Sequence, residues 1–384
     1  EFEHAPKYDD KWIITFYARN AIESSVGCGA PIFIIWALHG FHRTKRITLI
    51  SFLPFVLAFL FLYLTCAYTM ITVGHPPVGQ LTTQMIVGGL VALQALVVLP
   101  LVGRRLNLAH IWKSVVLPFC ILVVGLAALQ NMVPMLSERI RSEWVLVLFR
   151  VVGYTIMQEL FVGGARILQR LVPLSEEDDY RPEDKIFSVL PIDCLFGYWG
   201  RIILMDLTET GPILVANLAI AAGEFVARIT VVQRDKLYLR LLWNSSSKQT
   251  EYWQENAAGM QRFRCSMITS HLFAEYLMIA TAAGYYYASG IAPSMTEHIF
   301  NCATQFLAEL FCDGITLCWE IFIHKLPIVQ AWNNRRAYFG VFFGLFAIGF
   351  NVFAMSRSAN YFCGMKKPDT TWYVTLRYCG AAKG

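Results

Sequence analysis

The sequence predicts an all-α integral membrane protein, a polytopic bundle of about ten transmembrane helices. Three observations carry that prediction. Of its 384 residues 56% are hydrophobic and only 15% charged, against about 25% charged in a soluble globular domain. The mean hydropathy is +0.48. The apolar residues also gather into runs of the roughly 20 residues that a helix needs to cross a bilayer. A water-soluble enzyme, a disordered chain and a nucleic-acid-binding protein are excluded, and the lipid bilayer is the first partner.

The runs are taken in chain order. After an extracytosolic N-terminal segment, 1–23, the first bundle (24–170) holds Ser24–His39, Ile47–Val73, Leu81–Val102, Ile111–Leu136 and Trp144–Gly163. An acidic cytosolic linker, 171–185, follows. The second bundle (186–355) holds Ile186–Met205, Gly211–Val232, Ser266–Ser289, Ile299–His324 and Ala337–Met355, and 356–384 forms an extracytosolic tail. The first stretch lacks the basic start and apolar core of a signal peptide.

Lys and Arg set the orientation. Eighteen of them fall in alternate loops and two in the loops between. The rich loops are therefore cytosolic and both termini face outward. Eight more basic residues at the termini oppose this reading. Plasma membrane or secretory-pathway membrane is the expected location. Residues 175–184, Ser-Glu-Glu-Asp-Asp-Tyr-Arg-Pro-Glu-Asp, read as a solvated linker or as a docking patch for a basic partner. Segment 233–265 mixes leucines and Trp243 with Lys236 and Arg240, which suits a helix continuing from the membrane or lying on its surface. A homo-oligomer or larger membrane assembly is compatible with all of this.

The chemistry lies in ionisable residues inside the runs, where each costs at least ~2.5–3.5 kcal/mol near the bilayer centre. The ninth run is the clearest. His298, Cys302, Gln305, Glu309, Asp313, Thr316, Glu320 and His324 step by three or four and so line one helix face. Phe300, Leu307, Phe311, Leu317 and Ile321 line the other. The polar face must meet other helices or a water-filled cavity. Glu224 with Arg228, and His271 with Glu275, add a similar depth on the two preceding runs. Four carboxylates thus meet at one level and cannot all stay ionised without cations.

Three functions follow. The favoured one is a transporter or channel moving a cation, proton or proton-coupled small solute past Glu224, Glu275, Glu309, Asp313 and Glu320, with His271 and His324 as proton partners. A bound cation is the cofactor such a site would take, and carboxylates suit hard cations. The second is a non-catalytic subunit or receptor-like scaffold whose buried charges fix helix packing, as the four-residue Glu224–Arg228 spacing allows. The third is an integral-membrane metal-dependent enzyme, although the Glu-x-x-His spacing of di-metal bundles is missing. No residue is assigned a catalytic role and no metal ligand set is identified. No phosphate loop, dinucleotide fingerprint or nucleophile elbow appears.

Two secondary features complete the reading. The sixth run holds Pro191, Asp193, Gly197, Gly200 and Arg201, a density that predicts a kinked or broken helix. In the tail, Cys363 and Cys379 are a candidate disulfide if that segment lies outside the cytosol. The Asn244-Ser-Ser sequon, placed in the cytosol, would stay bare.

Overall fold

The computed structural model describes residues 31–73, 80–125, 142–172, 182–243, 257–289 and 295–331, apart from isolated positions within them, and a few single residues elsewhere. Among the described residues every regular element is helical. The tenth run, most of the first, residues 175–181, Asn244 and the Cys363–Cys379 tail lie outside them.

α1 spans Phe41–Val73. α2 runs from Gln80–Leu93 through a π-helical turn, Gln94–Val98, into Leu99–Arg105. α3 is Trp112–Gly125, and α4 is Glu143–Arg170 with a π-helical stretch at Phe149–Tyr154. The 3-10 turn Pro182–Lys185 leads into α5, Ile186–Met205. α6 is Thr210–Ile229, α7 Val231–Trp243, α8 Ala257–Ser289, α9 Met295–Phe322 and α10 Ile328–Ala331. Five of these, α1, α2, α4, α5 and α6, are long and apolar enough to cross a membrane, so this is an all-α membrane protein. α8 and α9, at 33 and 28 residues, have the length but carry the charges.

The protein turns its apolar surface outward. Along α1, Leu49, Leu53, Leu57, Phe61, Leu64 and Tyr68 are exposed at helical spacing, the arrangement lipid requires of an outer helix. α5 is the opposite. Of its apolar window 89% is buried, against 22–33% for the other four spans, which makes it the central post. Residues 32–38 with α1, α2 and α3 share one core, and α4, α5, α6 and α8 share a second. The α2–α3 turn shows how local sequence sets the first core. Asn107 takes a left-handed φ of 52°, and Leu108 N–H bonds Gly103 C=O at 2.8 Å, a helix-ending pattern that Asn tolerates. A Cβ on Gly103 would come within 2.6 Å of Ile111.

α5 decides between the kinked and the broken reading of the sixth run. It is an unbroken helix from Ile186 to Met205 with Pro191 inside it, and its Asp193 bonds His271 of α8. Its Gly200 serves close packing: the Arg150 guanidinium occupies the space of a side chain there, 2.8 Å from an added Cβ.

Candidate functional site

The π-helical stretch of α4 begins the site. An extra residue per turn re-aims the side chains beyond it. Arg150 and Tyr154 both point inward, 3% and 0% exposed, while Leu148 and Val152 between and before them face out. Arg150 Nε donates to Gly200 C=O at 3.1 Å and its guanidinium lies 4.8 Å from the centre of the Tyr154 ring. Tyr154 O–H donates to Phe196 C=O on α5.

α9 presents its polar stripe to α5, α6 and α8. Asn301, Gln305, Glu309, Asp313, Thr316 and Glu320 are all buried, and Leu307, Phe311 and Phe322 on the opposite face are exposed. Asn301, which the charge pattern alone passes over, donates to Leu204 C=O at 2.9 Å and accepts from Gln305.

Each carboxylate of the stripe meets a base from another helix. Arg201 of α5 pairs with Glu309. Arg228 of α6 is the hub: it pairs with Asp313, with Glu275 at 2.5 Å and, four residues back on its own helix, with Glu224 at 3.4 Å. Tyr276 O–H donates to the other Asp313 oxygen at 2.7 Å. His271 of α8 stands between two acids, its Nδ1 2.5 Å from Asp193 and its Nε2 3.1 Å from Glu275. The four carboxylates expected at one level are therefore one network with Asp193, Arg201, Arg228 and His271.

Glu320 and His324 stand apart. Both bond Arg264 of α8, at 2.5 and 3.0 Å, and each other at 2.8 Å, seven residues or about 10 Å down α9 from Asp313. Arg264 counted as a loop residue by hydropathy, yet α8 starts at Ala257 and buries it. A third cluster was equally hidden. Asp235 of α7 is fully buried between Arg166 at 3.0 Å and Arg170, and Glu159 pairs with Arg166 and Arg234 at 2.8 and 2.6 Å. The signal in the sequence was the four-residue spacing of Arg166 and Arg170 on one helix opposite a lone acid.

Between α4, α5, α6, α7 and α8 lies a cavity of about 180 Å³, room for several waters or one small solute. Thr155, Glu159, Asp193, Glu224, Arg228 and His271 contribute polar groups to its wall, with Val162, Val189, Ile220 and Leu272 between them. Glu309 and Asp313 sit behind this wall.

Two acid groups could hold a metal by spacing alone: Glu224, His271 and Glu275, and Glu275, Glu309 and Asp313, each with ligand atoms within 4.8 Å of one another. Arg228 bonds members of both sets, so its guanidinium takes the charge-balancing position a cation would fill. The residues fit a guanidinium-centred network better than a metal centre.

At the cytosolic end by the charge rule, Lys185 precedes α5 and donates from Nζ to Val172 and Gln169 C=O, at 2.5 and 3.1 Å, closing the end of α4. Burial, and then the nearby Arg170, push its ammonium down to about 7.

Comparison with known proteins returns no match, whether to a protein family, a curated protein or a solved structure.

Proposed function

We propose that this protein moves protons, coupled to a small solute, across its membrane through the cavity between α4, α5, α6, α7 and α8. The observation that carries the reading is His271, set in the cavity wall with Asp193 on one ring nitrogen and Glu275 on the other. An imidazole can take a proton at one nitrogen and release it at the other. Oxygens of Glu275, Glu309 and Asp313 lie within 4.8 Å of one another, so a proton can pass from Glu275 to the α9 stripe between carboxylates while Arg228 stays charged and holds them together. The relay thus joins the cavity to a polar face that runs along α9. The location favoured with this reading is the plasma membrane or a secretory-pathway membrane, with the Lys- and Arg-rich loops in the cytosol.

The test is a vesicle assay. The full chain is reconstituted with an internal pH dye and an imposed membrane potential. Amino acids, carboxylic acids, amines and sugars are added in turn. One class should drive a change in lumenal pH in wild type, and His271→Gln and Glu275→Gln should slow it by about tenfold or more, the low end of what a positioned proton carrier contributes. Equal rates in wild type and His271→Gln, or no proton movement with any class, would refute the proposal.

A scaffold role has its own supporting observation: every carboxylate of the network has a basic partner, as does Glu320. In that reading His271→Gln lowers stability and no proton flux exists to lose, so the same vesicles separate the two.

A further inference from the structure

The outer end of the α9 stripe holds a group of donors that proton passage does not use. Cys302 is half-buried in the third turn of α9. Its Sγ lies 3.9 Å from the thioether sulfur of Met205, the last residue of α5, and 3.8 Å from Nε2 of His298, one turn earlier. Met205 is 4% exposed, and Gln305 Nε2 approaches its sulfur at 3.8 Å. His298 Nε2 also lies 3.1 Å from Ala283 C=O of α8. Three helices therefore fix this corner.

We propose that Cys302, Met205 and His298 form a binding site for a soft monovalent metal ion of the Cu(I) and Ag(I) class.

Three arguments support it. Thiolate, thioether and imidazole are the donors such ions select over hard cations. With metal–sulfur bonds near 2.3 Å and metal–nitrogen bonds near 2.0 Å, donors sharing one ion stand roughly 3.5–4 Å apart, and both spacings around Cys302 fall in that range. Charge is the third. The thiol releases its proton to water as the ion binds, and one thiolate neutralises one monovalent ion. A divalent ion would leave an uncompensated charge among apolar neighbours. Binding moves the His298 proton to Nδ1 and gives up the Ala283 bond. The site sits seven residues, about 10 Å, from Glu309 along α9, and it does not depend on the proton reading.

The test uses Ag(I) as probe and the full chain in detergent micelles. Excess glutathione removes silver from single thiols, which matters because the chain has ten cysteines, and is itself removed by gel filtration before alkylation. Alkylation by N-ethylmaleimide is followed at the Cys302 peptide by mass spectrometry. Silver should slow it about tenfold or more, and Met205→Leu and His298→Gln should each raise the protecting concentration at least about tenfold, since even a supporting partner is worth that much to a metal site. Zn(II) should not protect. X-ray absorption of the Cu(I)-loaded protein should show two sulfurs and one nitrogen. Equal protection in the two variants, equal protection by Zn(II), no protection, or a sulfur-only absorption spectrum would overturn the site.

Discussion

Arg228→Met removes the charge on which the network closes while keeping most of the apolar stem, so the loss is electrostatic and not a packing void. Glu275 and Asp313, its two deep partners, are 2% and 4% exposed, and Glu224 is 22% exposed. Removing one partner of a buried pair costs about 3–5 kcal/mol because the other charge is left without compensation. Asp313 keeps only the Tyr276 hydroxyl and Glu275 only His271, so this variant should lose about 3–5 kcal/mol. Arg228→Lys keeps the charge but not the fork that reaches Glu275 and Asp313 together, so it falls between wild type and Arg228→Met. The triple variant Arg228→Met/Glu275→Gln/Asp313→Asn removes the stranded charges and should recover much of the loss. Unfolding in detergent by added SDS, followed by tryptophan fluorescence, measures all four proteins. A single variant within about 0.5 kcal/mol of wild type, the range of an ordinary surface change, would refute the hub, as would a triple variant no more stable than the single.

Gly200→Ala drives a methyl into the Arg150 guanidinium 2.8 Å away and should cost about 1–3 kcal/mol, whereas Gly88→Ala, with nothing within 4 Å, should stabilise by about 0.5–1 kcal/mol; the same SDS titration reads both. Lys185, lowered to about 7 from 10.5, binds fewer protons folded than unfolded between those values, so stability should rise with pH across that window, by at most about 1.4 kcal/mol per pH unit. Below pH 7 the burial cost is fully present, and Lys185→Met should flatten the slope; an unchanged slope refutes the assignment. Expression in glycosylating cells should leave Asn244 bare, because the Lys and Arg count assigns its segment to the basic side; a mass shift removed by a glycosidase would invert the orientation.

Much of this site was legible because carboxylates are costly in an apolar helix and the helical period is fixed. The spacing Gln305, Glu309, Asp313, Thr316, Glu320 gave the buried face of α9 directly. Partner choice was not legible, since it depends on which helices meet. Arg264 and Asp235 lay beyond the apolar runs, and hydropathy counts such residues as loop; only the extra turns of α8 and the position of α7 bring them inside. The Gly- and Pro-rich sixth run left two readings open for a similar reason. Glycine marks either a flexible backbone or a close approach, and the sequence does not say that Arg150 arrives from α4 to fill the space at Gly200.

The same arrival changes the count of charge around the cavity. The sequence places more acids than bases on the three helices that carry the network, and an excess of buried negative charge favours a cation. With Arg150 turned inward by the π-helical stretch, three arginines, Arg150, Arg201 and Arg228, face five carboxylates, Asp193, Glu224, Glu275, Glu309 and Asp313; Arg150 is close enough to feel Arg201, Glu224 and Glu309. His271 is the one member of the network that is neither a carboxylate nor a guanidinium, and it can be counted in either charge state. Protonated, it leaves the network one positive charge short of neutrality, and neutral, two short. A cluster so composed is closest to balance when it holds one more proton, or when a positively charged solute occupies the cavity beside Glu224 and Asp193. Exchange between those two states is what coupling a proton to a cationic solute requires, so of the four classes in the vesicle assay the amines are expected to move protons first, and as counter-transport they should alkalinise the lumen.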